Sequence, residues 1–178
     1  MERFIPSLPA LRMGQEPAFL RDNHGMFNVI LFQPEIPPNT GNVIRLCANT
    51  GCALHLIEPL GFNFDDKHMR RAGLDYHEYA SLSRHANWAA FLATCQPHPS
   101  RIFAFTTRGS HSVFAQNFQL GDWLLFGQET AGLPAELRDG FPTEQRLRLP
   151  MREGQRSLNL SNAVAVSVFE AWRQNAFV

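Results

Sequence analysis

Three short stretches carry more polar chemistry than their local structure needs. In RSLNLSN, residues 156–162, the side chains of Ser157, Asn159, Ser161 and Asn162 crowd beside Arg156. A following helix needs one capping oxygen, not four. PPNTGN (37–42) and GQETAG (127–132) are the other two stretches. Each follows an apolar run, as does a fourth turn that begins at Phe105-Thr106-Thr107. A strand that ends in a Gly- or Asn-rich turn presents free backbone N–H groups and lets a ligand approach the main chain closely. In open parallel sheets, ligands bind beyond such strand ends. The pattern implies a nucleotide-like ligand. It is not the usual dinucleotide site, because Asn39-Thr40-Gly41-Asn42 supplies one glycine where that fingerprint needs three. A Walker phosphate loop is also missing. No metal is expected: Cys47, Cys52 and Cys95 have no zinc spacing, the histidines are scattered, and His55 within ALHLIEP reads as strand packing.

The elements that must position these turns alternate along the chain. FNVILF, ALHLIEP, RIFAFTT, WLLFG and RLRLP read as strands. Between them, PEIPPNTGN reads as a turn and NVIRLCANTG as a helix stopped by Gly51. DDKHMRRAG reads as a short polar helix and HANWAAFLATC as an amphipathic one, and a short helix starts at Pro134. A final helix spans about Leu160 to Asn175. Its stripe Val164, Val168, Phe169 and Trp172 would face a core, and Ser161 would cap it. Strands separated by helices predict an α/β fold, a mainly parallel sheet covered on both faces.

Residues 1–25 hold three prolines and no sustained period, and are expected to form an irregular extension; whether they belong to the native protein is left open. Residues 26–178 are expected to form one domain. Formal net charge is zero, so the overall field gives no sign of a nucleic-acid partner. The cations are nonetheless lopsided, since Lys67 stands alone among 16 basic residues and the rest are Arg. Arg suits phosphate forks and base stacking, although a GC-rich genome gives the same bias. No run approaches the length of a membrane span, no secretory signal is visible, and the thiols fit a reducing, cytoplasmic setting.

NTGNVIRLCANTG, FGQETAGLP and LPMREGQRSLNLSNAVAVSVFEAWR resemble, in order and spacing, the three motifs of the SPOUT RNA methyltransferases. PEIPPNTGNVIRLCANTG and DDKHMRRAGLDYHEY resemble the branch that methylates the ribose 2'-oxygen of the tRNA wobble nucleotide, cytidine or uridine 34. The likeness covers about residues 26–175. The extension has no counterpart in it, and the loop MREGQRSLN lies where relatives vary.

The resemblance implies a C-terminal deep trefoil knot, S-adenosylmethionine as methyl donor, a homodimer whose active sites borrow residues across the interface, and the tRNA anticodon stem-loop as substrate. It implies a cofactor pocket built from Phe105, Thr106, Gly127, Leu149, Met151, Ser157 and Leu158. Arg45, Asn159 and Glu129 become the expected catalytic residues. Arg45 stays protonated, so its expected work is to stabilise the developing alkoxide rather than to act as base. The proton acceptor is left open between phosphate, water and Glu129. Glu129 has a second reading, as a brace for the Asn39–Asn42 segment. Arg70, Arg71, Arg152 and Arg156, with Arg108, are candidates for RNA phosphate contacts, and His77 for the anticodon stem-loop. The implied alternative is a ribose at another tRNA or rRNA position.

Overall fold

The computed structural model describes residues 26–63, 82–155 and 157–178. The extension, the expected polar helix with Arg70, Arg71 and His77, and Arg156 lie outside the described residues. Among the described residues seven strands form one sheet: β1 (Asn28–Phe32), β2 (Ala53–Ile57), β3 (Leu82–His85), β4 (Ile102–Phe105), β5 (His111–Ser112), β6 (Trp123–Phe126) and β7 (Arg146–Arg148). Their order is β3-β2-β1-β6-β4-β7-β5, and every pairing between them is parallel. Among the described residues the α-helices are α1 (Pro37–Thr50), α2 (Trp88–Cys95), α3 (Ala135–Asp139) and α4 (Leu160–Gln174).

The two-residue pleat sorts the apolar side chains to opposite faces. Val29 and Leu31 of β1, Leu54 and Leu56 of β2, and Phe103 and Phe105 of β4 pack with Val43, Ile44 and Cys47 of α1 and with Val164 and Val168 of α4. Ile30 and Phe32, Ile57, Ile102 and Ala104 point the other way, onto Phe91 of α2 and Leu133 and Leu137 around α3. The sheet is buried on both faces, as continuous apolar strands require. Burial pushes the thiols of Cys47 and Cys52 above their usual range, so both behave as small core hydrophobes.

Three sequence expectations need correction. The helix expected from Asn42 begins at Pro37 and takes in the segment read as a turn. Pro37 and Pro38 have no N–H, so two of the donors that a helix start leaves unsatisfied do not exist there. On α4, Phe169 does not face the core: it is 47% exposed, while the buried stripe runs through Leu160, Val164, Ser167, Val168 and Ala171. The cap of α4 is Asn159, not Ser161; Asn159 Oδ1 accepts from Ser161 N at 2.9 Å and from Asn162 N at 3.4 Å. The strands β3 and β5 were not expected. Both lie at sheet edges, where LSRH and HS carry little apolar signal.

Candidate active site

The ends of three neighbouring strands and the start of α4 enclose a cavity of about 340 Å³. From β4 come Phe105 and Thr106, and from β6 the turn that holds Gly127 and Glu129. The chain after β7 adds Leu149, Met151, Ser157 and Leu158. All seven residues expected in the cofactor pocket line this one cavity, and it opens where a parallel sheet places its ligands.

Gly127 makes the β6 turn possible. A Cβ built there would stand 2.2 Å from the Gly132 carbonyl carbon and 2.3 Å from Leu133 N. The chain doubles back tightly, with Gln128 N donating to Gly132 O at 3.1 Å and Gly132 N donating to Gln128 O at 2.9 Å. Gly132 itself sits at φ +70°, in the left-handed region. On the next strand, Thr106 N donates to Leu147 O at 2.9 Å and extends the β4–β7 ladder to the cavity rim.

Glu129 is held by the backbone N–H groups of Glu35 at 2.8 Å and Ile36 at 3.2 Å, and by Asn39 Nδ2 at 3.1 Å. Asn39 Oδ1 in turn accepts from Asn159 Nδ2 at 2.9 Å. Asn159 then caps α4 through its own oxygen. Glu129, Asn39 and Asn159 thus join the turn after β6, the first turn of α1 and the start of α4 in one relay. Thr130 adds a second tie, its N–H and hydroxyl both donating to the Glu35 carboxylate. The bracing role read for Glu129 is what its bonds perform. Sequence reasoning missed Asn39 as the hub, because its partners lie 90 and 120 residues away.

Arg45 stands on the exposed side of α1, outside the cavity lining, and Asn159, the exposed cap of α4, is outside that lining too. Arg152 is exposed just beyond Met151. Two guanidiniums, Arg108 and Arg138, stand in the cavity wall. Arg138 pairs with Asp139 through two bonds of 2.8 Å, and those bonds hold the Asp139 carboxyl below its ordinary range. Arg138 carried no signal in the sequence; it arrives at the wall through α3. The fourth expected strand end, that of β1, stays outside the lining and meets it through the Glu129 relay, the Thr130–Glu35 bonds and a bond from Gln128 Nε2 to Gln33 Oε1 at 3.3 Å.

The histidines are not all scattered in space. His55 of β2, His85 at the end of β3 and Cys95 at the end of α2 meet at the opposite side of the sheet order from β4 and β7. None of the three lines the cavity. His55 packs among Phe91 and Trp123 as strand packing predicts, with its Nδ1 3.1 Å from His85 Nε2. Burial, with the charge of His85 second, lowers the His55 pKa to about 4. No described helix is long and apolar enough to cross a membrane.

Comparison with known proteins agrees with this geometry. A tRNA (cytidine(34)-2'-O)-methyltransferase of Polaromonas sp. strain JS666 is 67% identical over 152 residues, which cover 85% of this chain and 93% of that protein. A structure solved for insight into the 2-OH methylation of C/U34 on tRNA is 45% identical with a TM-score of 0.77, and the match covers 88% of this chain and all of that one. An AdoMet-bound rRNA methyltransferase of Sinorhizobium meliloti is 27% identical with a TM-score of 0.70, over 84% of this chain and 56% of that one. The profile of the SpoU rRNA Methylase family matches residues 26–169. With that match across most of its length, and three strand ends and a capped helix enclosing the cavity, the chain belongs to the SpoU rRNA methylase family.

Proposed function

We propose that this chain is a tRNA ribose 2'-O-methyltransferase that acts on nucleotide 34, cytidine or uridine, with S-adenosylmethionine as donor. The observation that carries the proposal is the convergence of Phe105, Thr106, Gly127, Leu149, Met151, Ser157 and Leu158 on one cavity. The cytidine-34 activity in the name of the Polaromonas relative supports the substrate, and the AdoMet-bound relative supports the donor.

The cavity suits that donor chemically. Phe105, Leu149, Met151 and Leu158 offer apolar walls for a purine, and Thr106, Ser157 and the backbone beside Gly127 offer hydrogen bonds for its edges. Arg108 adds a cation to the wall, while the Arg138 fork is taken by Asp139. Bound S-adenosylmethionine supplies an electrophilic methyl group on a sulfonium. Arg45 stabilises the alkoxide that develops at the ribose 2'-oxygen, together with the flanking phosphate. Glu129 and Asn159 are positioning residues, since the relay occupies the Glu129 carboxylate and the Asn159 cap. Arg108, Arg152 and, beyond the described residues, Arg70, Arg71 and Arg156 contact RNA phosphates.

Residues 26–178 act as one domain in this reading, with residues 1–25 as an extension. The C-terminal segment that wraps the cavity is threaded as a trefoil knot. The working unit is a homodimer, formed where Val166 and Phe169 stand exposed on α4, and Arg45 acts across the subunit boundary from the cavity. The protein works in the cytoplasm.

A labelled-methyl transfer assay on total tRNA from a strain lacking the gene tests the proposal. Wild-type protein should place label on the 2'-oxygen of nucleotide 34. Arg45→Ala should lose about 100-fold or more in kcat/KM while still binding S-adenosylmethionine. Label at another ribose, or on rRNA alone, would overturn the substrate; full activity in the variant would overturn the role of Arg45.

A further inference from the structure

We propose that His55 Nδ1, His85 Nε2 and Cys95 Sγ form a binding site for one thiophilic d10 metal ion, Zn²⁺ or Cu⁺. The three atoms come from three elements and lie within 4.8 Å of one another. The two nitrogens are 3.1 Å apart, and the sulfur is 3.8 Å from His55 Nδ1 and 3.9 Å from His85 Nε2. These separations match the span of one coordination sphere. With bonds of about 2.05 Å to nitrogen and about 2.3 Å to sulfur, they subtend about 98° between the nitrogens and about 122° and 127° between nitrogen and sulfur. Those angles describe a nearly planar trigonal set. Cu⁺ takes such a set as it stands, and Zn²⁺ takes it with a fourth ligand from solvent. Cys95 is only partly buried, which leaves an entry path and room for that ligand.

Both imidazoles are buried, while burial raises the pKa of the Cys95 thiol, so ion binding must also drive off that proton. Phe91 and Trp123 wall the site in: His55 lies edge-on to Phe91 at 5.7 Å and 5.1 Å from the Trp123 ring, and His85 lies edge-on to Phe91 at 5.3 Å. These rings cover the two imidazoles and leave the partly buried Cys95 as the more open side of the site. On binding, two nitrogen lone pairs and one thiolate pair form the three metal bonds. The Cys95 thiol proton leaves to solvent. The proton held between the two rings moves to the far nitrogen of the ring that carries it. No oxidation state changes. The bound ion would staple the edge strand β3 and the end of α2 to β2, on the side of the sheet remote from the methyl-transfer cavity.

The test uses the full chain, stripped of metal and kept reduced. Co²⁺ serves as the optical surrogate for Zn²⁺, Zn²⁺ is added in competition, and Cu⁺ is titrated against a chromogenic chelator. Wild type should bind one ion, with a thiolate-to-Co²⁺ charge-transfer band, and Cys95→Ala and His85→Ala should each weaken binding by roughly 100-fold or more. At a free metal level 100 times Kd, the wild-type Tm should rise by about 5–10 °C, and that of Cys95→Ala should not move. Cys95→Ala keeps Cys47 and Cys52, so binding that survives in it belongs to other thiols and overturns the proposal, as does less than about 0.1 ion per wild-type chain. Far-ultraviolet circular dichroism and S-adenosylmethionine binding serve as fold controls. If His85→Ala fails them, Cys95→Ala decides alone.

Discussion

Gly127 shows how a single missing methyl group shapes a binding site. The backbone at Gly132 and Leu133 fills the space where a side chain would stand, so the turn after β6 closes against itself and leaves its outer side to the cavity. Gly127→Ala should force that turn outward, with overpacking strain of roughly 1–3 kcal/mol. The expected result is a matching loss in urea-unfolding free energy and a weaker Kd for S-adenosylmethionine by calorimetry. Unchanged affinity would show that the turn is no part of the donor site. At this scale the sequence was informative wherever a residue type has one main use: a Gly straight after an apolar strand reads as a ligand turn. It failed at Ser161, because either residue could cap the helix. The helix begins at Leu160, as read from the sequence, so the cap is the residue just before it, Asn159, and Ser161 is already the second helical residue.

At the scale of elements, the relay from Glu129 through Asn39 to Asn159 sets α1 and α4 relative to the turn after β6. Asn159 serves both ends of this arrangement, and the two uses can be separated. Asn159→Ala removes the cap and the tie, and should cost about 0.5–2 kcal/mol by thermal or urea unfolding. Asn159→Asp keeps a capping oxygen, but a carboxylate has no N–H to give Asn39. Its stability should stay near wild type while methyl transfer falls; equal activity and stability would show the tie to be idle. The central strands and the long C-terminal helix were legible because their apolar periods are long and unbroken. The edge strands β3 and β5 were not, since short, half-exposed pairing leaves almost no period in sequence. The early start of α1 was hidden by its own prolines, which mark turns and first helical positions alike.

Across the whole molecule, the buried stripe of α4 has an apolar counterpart on its solvent side, where Val166 is 41% and Phe169 47% exposed. The proposed homodimer gives these two side chains a partner. Val166→Asp with Phe169→Asp should convert a sedimenting dimer into a monomer, with methyl transfer lost in parallel; a dimer that persists would move the interface elsewhere. Motif residues made the cavity readable in advance. The His55, His85 and Cys95 cluster was unreadable, because donors 30 and 10 residues apart fit no zinc spacing and meet only when β2, β3 and α2 pack. The strand order carries one more consequence, for the way the chain is made. β1 lies inside the sheet, third of its seven strands, yet its partner on one side, β6, emerges from the ribosome about 90 residues later. At about 5–20 residues per second, one edge of a fully apolar strand stays open for roughly 5–20 seconds of synthesis. During that interval the nascent chain holds β1 against β2 and α1 with its other flank bare, so shielding by chaperones matters most before residue 126 has been released.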